Sequence, residues 1–192
     1  LPLDIYIDVS KDGDFTTNPQ WLGDQSLFGV VSEQLKTTGT EAGQVILYTD
    51  NSSSIDDKEW RIWVKQSFSG SANNHSRIYL SASTSAMNFA SGSAAGVEGY
   101  FIQLGEAGSD DAIKLYRDDQ LDDDLILIAE GSLGTVSSSF EIALKITRSS
   151  AGDWNIYADL SGGDDFILDA TGVDNTYSST EFFGIACLYT AS

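Results

Sequence analysis

The chain has 192 residues, 41% hydrophobic and 11% aromatic, enough for one domain with a sizeable core. Ten basic residues stand against 29 acidic ones, and the net charge of −19 repels phosphate backbones and anionic lipid surfaces, which argues against nucleic-acid and membrane-surface roles. The single cysteine, Cys187, excludes an intrachain disulfide and a Cys-based zinc site, and no window approaches the roughly 18 apolar residues of a membrane span.

LPLDIYIDVS has neither the basic start nor the long apolar stretch of a signal peptide, so the chain is expected to be a soluble module from a longer parent. IYIDV (5–9) and SLFGVV (26–31) are expected as edge strands. QVILYT (44–49) is continuously apolar, as a buried strand is. WRIWVKQSF (60–68) alternates, sending Trp60, Ile62, Val64 and Phe68 to one face and Arg61, Trp63, Lys65 and Ser67 to the other. RIYLSAS (77–83) alternates likewise, and the Ser-rich STSAMNFAS (83–91) reads as loop. GYFIQL (99–104) and AIKLYR (112–117) flank the acidic turn GEAGSDD, followed by the apolar LILIAE (125–130). FEIALKIT (140–147) and WNIYADL (154–160) are joined by SSAGD, a strong hairpin signal, and FFGIACLYT (182–190) closes the series.

No helix longer than a turn or two, no linker and no internal repeat is predicted. Roughly a dozen short strands separated by turn chemistry predict an all-β fold: one antiparallel β-sandwich over residues 1–192, a jelly roll of the lectin type.

Three kinds of chemistry are open to this composition. For catalysis, the only histidine, His75, sits in a Ser/Asn-rich turn and is expected to be solvated. No GxSxG occurs, and no ExDxxE string sets the two carboxylates of a glycosidase along one strand. For metals, Asp greatly outnumbers Glu and recurs in Gly-containing turns. KDGD, with Asp12 and Asp14, is the first choice for calcium, against the alternative that Asp simply ends strands and forms Asx turns.

The third constellation is aromatic. If Trp60, Ile62, Val64, Ile78, Leu80, Ile102, Leu104, Ile113 and Leu115 face the core, alternation turns Trp63, Tyr79, Phe101, Gln103, Lys114 and Tyr116 outward, with Arg61 and Lys65 beside Trp63. Lys145 and Tyr157 are candidates to join them. Aromatic faces edged by hydrogen-bonding groups suit sugar rings, which makes Trp63, Tyr79, Phe101 and Tyr116 a stacking surface with Arg61 and Gln103 as polar partners. The competing reading is that a loop or the other sheet covers these rings. Exposed together they favour binding; buried together they are scaffold.

KDGDFTTNPQWLGD, EWRIWVKQSF, RIYLSAS, GYFIQLGEAGSDDAIKLYR, AGDWNIYAD and TGVDNTYSSTEFFGIACLYT, in that order, resemble a β-sandwich module of large secreted and surface proteins of Bacteroidetes, often set beside lamin-tail or adhesive domains. The resemblance covers about residues 11–190. It implies a concanavalin/laminin-G-like sandwich, export, and a binding or adhesive role. The expected function is a noncatalytic, extracellular carbohydrate-binding module of a larger secreted or cell-surface protein, with polysaccharide or glycan as partner. A ligand-free adhesive spacer is the alternative, and a glycan-cleaving hydrolase or lyase a more distant one.

Overall fold

The computed structural model describes residues 19–31, 34–87, 97–119 and 125–190. One sheet has seven strands in the order β1 (Trp21–Gly23), β4 (Gly43–Ser54), β13 (Ser179–Tyr189), β6 (His75–Ala82), β7 (Gly99–Leu104), β8 (Lys114–Asp118) and β9 (Ile126–Glu130). A second has four, in the order β12 (Ile167–Val173), β11 (Asp153–Asp159), β10 (Phe140–Arg148) and β5 (Lys58–Gln66). β2 (Phe28–Val31) and β3 (Gln34–Thr37) form a separate two-stranded ribbon. Every pairing is antiparallel. The fold is an all-β jelly-roll sandwich, as predicted.

β5 shows the predicted alternation. Trp60 is buried, Ile62 and Val64 pack against the core, and Arg61, Trp63 and Lys65 are exposed. Phe68, assigned to the inner face, lies beyond the end of the strand and is exposed. The SSAGD turn does join β10 to β11 in a hairpin. Between the sheets, Trp60 and Trp154 stack with centroids 5.8 Å apart, and Tyr100 reaches Trp154 from the seven-stranded sheet at 4.8 Å. Tyr100, Ile102 and Leu104 of β7 meet Ile142, Leu144 and Ile146 of β10 in the same apolar cluster.

Within that core lies a cation. The Arg148 side chain, at the end of β10, is fully buried. Its guanidinium donates to the Asp56 carboxylate, to Asn175 Oδ1 at 2.7 Å and to the Tyr177 carbonyl at 2.9 Å, and it lies 5.6 Å from the Trp154 ring centre. Asn175 and Tyr177 belong to the segment Asp174-Asn175-Thr176-Tyr177, which carries the chain from β12 in one sheet to β13 in the other. Asp174 accepts from the Tyr100 hydroxyl at 2.5 Å, from Arg117 and from the Thr176 N–H at 3.0 Å. Its carbonyl takes the Trp154 indole N–H at 3.2 Å. Burial alone would raise the Asp174 carboxyl, but these donors outweigh it and hold the group below the usual carboxylate range. Tyr100, mainly through burial, is pushed up to about 12.

Removing one partner of a buried ionic cluster leaves the others desolvated and unpaired. Arg148→Met is expected to cost about 3–5 kcal/mol in urea unfolding, with little change in the denaturant slope. A loss below about 1 kcal/mol would show that the crossover does not need its cation.

Candidate functional site

Alternation in β6, β7 and β8 does place Tyr79, Phe101, Gln103 and Tyr116 on one surface, the outward face of the seven-stranded sheet. Tyr79 lies opposite Phe101 across β6 and β7, and Phe101 opposite Tyr116 across β7 and β8. The three rings run in a row: Tyr79 to Phe101 at 5.1 Å, then Phe101 stacked on Tyr116 at 5.5 Å with an interplanar angle of 23°. The exposure expected for two of them is not observed. Tyr79 and Phe101 are both 0% exposed. Met87 and Val97, at the two ends of the β6–β7 connection, pack with them and with Ala186 in a second apolar cluster, flanked by Tyr48, Phe182, Leu125 and Tyr116. Rings expected to stack on a ligand thus form a floor covered by Met87 and Val97.

Trp63 and Arg61 are outward too, but on β5 of the other sheet, so they do not share a surface with Tyr116. Asp12 and Asp14 lie outside the described residues. Among the described residues, no group of three or more His, Cys, Asp or Glu side chains is arranged to hold a metal ion.

What remains open on the seven-stranded face is its rim. Tyr116 and Gln103 are half-buried. Gln103 Oε1 accepts from Arg77 Nε at 3.2 Å, which leaves its amide NH2 to donate elsewhere. The Arg77 guanidinium lies 4.7 Å from the Phe101 ring centre, fixing the cation over the aromatic floor. Tyr79 OH donates to Asp118 Oδ2 at 3.4 Å. Burial raises both the Tyr79 hydroxyl and the Asp118 carboxyl. Lys114 is bound by Glu106 at 2.7 Å and Glu130 at 3.0 Å; burial would lower its pKa, but the two carboxylates outweigh that and raise it. The surface so built is aromatic at Tyr116, donating at Gln103 and edged by carboxylates. It suits a neutral, hydroxyl-rich ligand with one apolar face.

Arg77 and Asp118 were not singled out from sequence, although both were legible as outward positions, two residues from Tyr79 and from Tyr116 respectively. His75 starts β6 and is half-buried, with Nδ1 3.2 Å from the Ser71 carbonyl, rather than solvated in a turn. GEAGSDD is the β7–β8 hairpin connection as expected. Its Asp111 nevertheless is 0% exposed, accepting the Glu106 N–H at 2.5 Å.

No protein-family pattern matches the chain, and no curated protein matches its sequence. Solved structures do share its fold. The legume lectin-like domain from Entamoeba histolytica aligns with a TM-score of 0.60 at 12% identity, over 90% of this chain and 82% of that one. The exoplasmic/lumenal domain of VIP36 in its Ca2+/Man-bound form gives 0.61 at 11% identity, over 90% and 76%. The metal-free carbohydrate recognition domain of Emp46p gives 0.60 at 14% identity, over 97% and 86%. At these identities the likeness is one of fold.

The split between floor and rim has a thermodynamic signature. Phe101→Ala should cost about 3–5 kcal/mol of stability, as a fully enclosed ring does, whereas Tyr116→Ala should cost about 1 kcal/mol. Equal losses in chemical denaturation would contradict the division.

Proposed function

We propose that the chain is one noncatalytic domain that binds glycan at the rim of its seven-stranded sheet, as part of a longer secreted or cell-surface protein of the Bacteroidetes type. The observation that carries this reading is the rigid aromatic row of Tyr79, Phe101 and Tyr116, which presents only its last ring to solvent, beside the amide of Gln103. Tyr116 supplies the stacking surface, Gln103 the donor and Arg77 the cation that orients Gln103. The shared fold with carbohydrate-recognition domains supports the same reading. A shallow site of this kind gains its strength from repetition, which fits a parent chain carrying several domains.

Glycan arrays followed by calorimetry test it. A neutral glycan should bind, Tyr116→Ala and Gln103→Ala should each weaken it about tenfold or more, and Trp63→Ala should leave that affinity unchanged. Absence of binding across a broad array would leave the ligand-free spacer as the function, and release of reducing or unsaturated ends would make the protein an enzyme.

Calcium is proposed at Asp12 and Asp14, because the sequence Asp12-Gly13-Asp14 sets two carboxylates one residue apart beside a glycine. A ligand that binds only the folded state raises the midpoint of unfolding. Calcium is therefore expected to raise Tm relative to chelator, and Asp12→Asn/Asp14→Asn to abolish the difference; identical melts would remove the metal.

A further inference from the structure

The outward face of the four-stranded sheet has a chemistry of its own. Three of the ten basic residues, Arg61, Lys65 and Lys145, share it, on the adjacent strands β5 and β10. Lys145 lies directly opposite Arg61. Like charges in that relation repel, and a chain with 29 acidic side chains had ample means to place a carboxylate there instead. Glu59 takes the Arg61 Nε at 2.7 Å and Glu141 takes the Lys65 Nζ at 2.8 Å. Asp159, also on this face, is committed to its own loop: it accepts from the Ser161 N–H and hydroxyl at 2.8 and 2.6 Å and from the Asp165 N–H at 2.9 Å.

Among the described residues Lys145 has no carboxylate within ion-pairing distance. Its ammonium lies instead 4.3 Å from the Tyr157 ring centre and 5.3 Å from that of Phe166. The Arg61 guanidinium lies 5.7 Å from the same Phe166 ring. Arg61 is already paired with Glu59, but a ring attracts a cation without cancelling its charge, so the Lys145 ammonium keeps a charge that a ligand anion can meet. Next to them stands Trp63, 38% exposed, two residues from Arg61 and diagonal to Lys145 across the strand pair. Gly162, at φ +74°, brings the β11–β12 loop against one edge of its indole.

We infer that this face is a second binding site, separate from the Tyr116 rim, for an acidic saccharide: a carboxylate or sulfate bridges Lys145 and Arg61 while the sugar ring stacks on Trp63. The anion supplies the counter-charge that Lys145 lacks among the described residues. Trp63 accounts for the sugar, because an exposed indole beside the cations adds nothing to the capture of a bare ion. The site does not depend on the rim, since the two faces belong to different sheets.

Calorimetric titration of the intact chain with oligogalacturonate, with a sulfated chondroitin oligosaccharide and with a neutral dextran oligosaccharide tests the inference. Binding of either acidic oligosaccharide, weakened by added salt, is the expected result; which of the two binds tells carboxylate from sulfate recognition. Lys145→Gln should weaken it about tenfold or more, Lys145→Arg should retain it, and Trp63→Ala should weaken it while Tyr116→Ala does not. Because Lys145 is half-buried and makes no ion pair among the described residues, Lys145→Gln should melt close to wild type, separating lost binding from lost fold. Failure of both acidic oligosaccharides to bind, or binding indifferent to Lys145→Gln, overturns the inference. So does a heat signal that sedimentation traces to association of two copies. Neutral-glycan binding at the Tyr116 rim is measured separately, and its loss or survival does not bear on this result.

Discussion

The sandwich is organised around a charge that it cannot expose. Taking a guanidinium out of water costs several kcal/mol unless acceptors and a ring enclose it, so the segments that supply them must converge. Asp56 comes from the turn before β5, Trp154 from β11, and Asn175 and Tyr177 from the crossover to β13. Through Asp174 the same crossover also holds Tyr100 and Arg117 of the other sheet. Arg148 therefore fixes where the chain passes between layers, and with it the entry of β13 between β4 and β6. The sheet that carries the candidate rim is completed only after this crossing.

The two sheets treat their outward faces differently. β5 alternates buried and exposed, while β6 is buried at every residue from Arg77 to Ala82. β13 makes the difference possible at one point, where Gly184 leaves the space that Met87 fills; a methyl there would overlap the Met87 sulfur. Met87 then closes the centre of the face with Val97, Tyr79 and Phe101. That leaves Tyr116 and Gln103 partly open at the rim, their positions set by the packed rings beneath.

Most of the strand pattern was legible, because period-2 alternation reports which residues of one strand share a side. It does not report which sheet a strand joins. β5 and β6 follow one another in the chain, yet the chain crosses from one sheet to the other between them, which separates Trp63 from Tyr79. Nor does an outward position guarantee exposure: RIYLSA and GYFIQL read as strands with one free face, and the packing of Met87, Val97 and their apolar neighbours seals it. β12 was missed because Asp169 and Gly172 interrupt the apolar pattern of ILDATGV. Asp111 and Arg148 were hidden for a related reason. A turn aspartate and a strand-end arginine carry the same letters whether water or protein surrounds them.

The rim around Tyr116 and the cluster around Lys145 look away from each other across the thickness of one sandwich. Two surfaces disposed back to back do not share one short stretch of polymer; if both proposed sites bind, each holds its own. A lone copy with both occupied is already a cross-link, joining a neutral strand to an acidic one without any need to dimerise. In a matrix of mixed polysaccharides such a domain would act as a rivet between unlike fibres, and its mechanical contribution would scale with the number of copies rather than with their assembly.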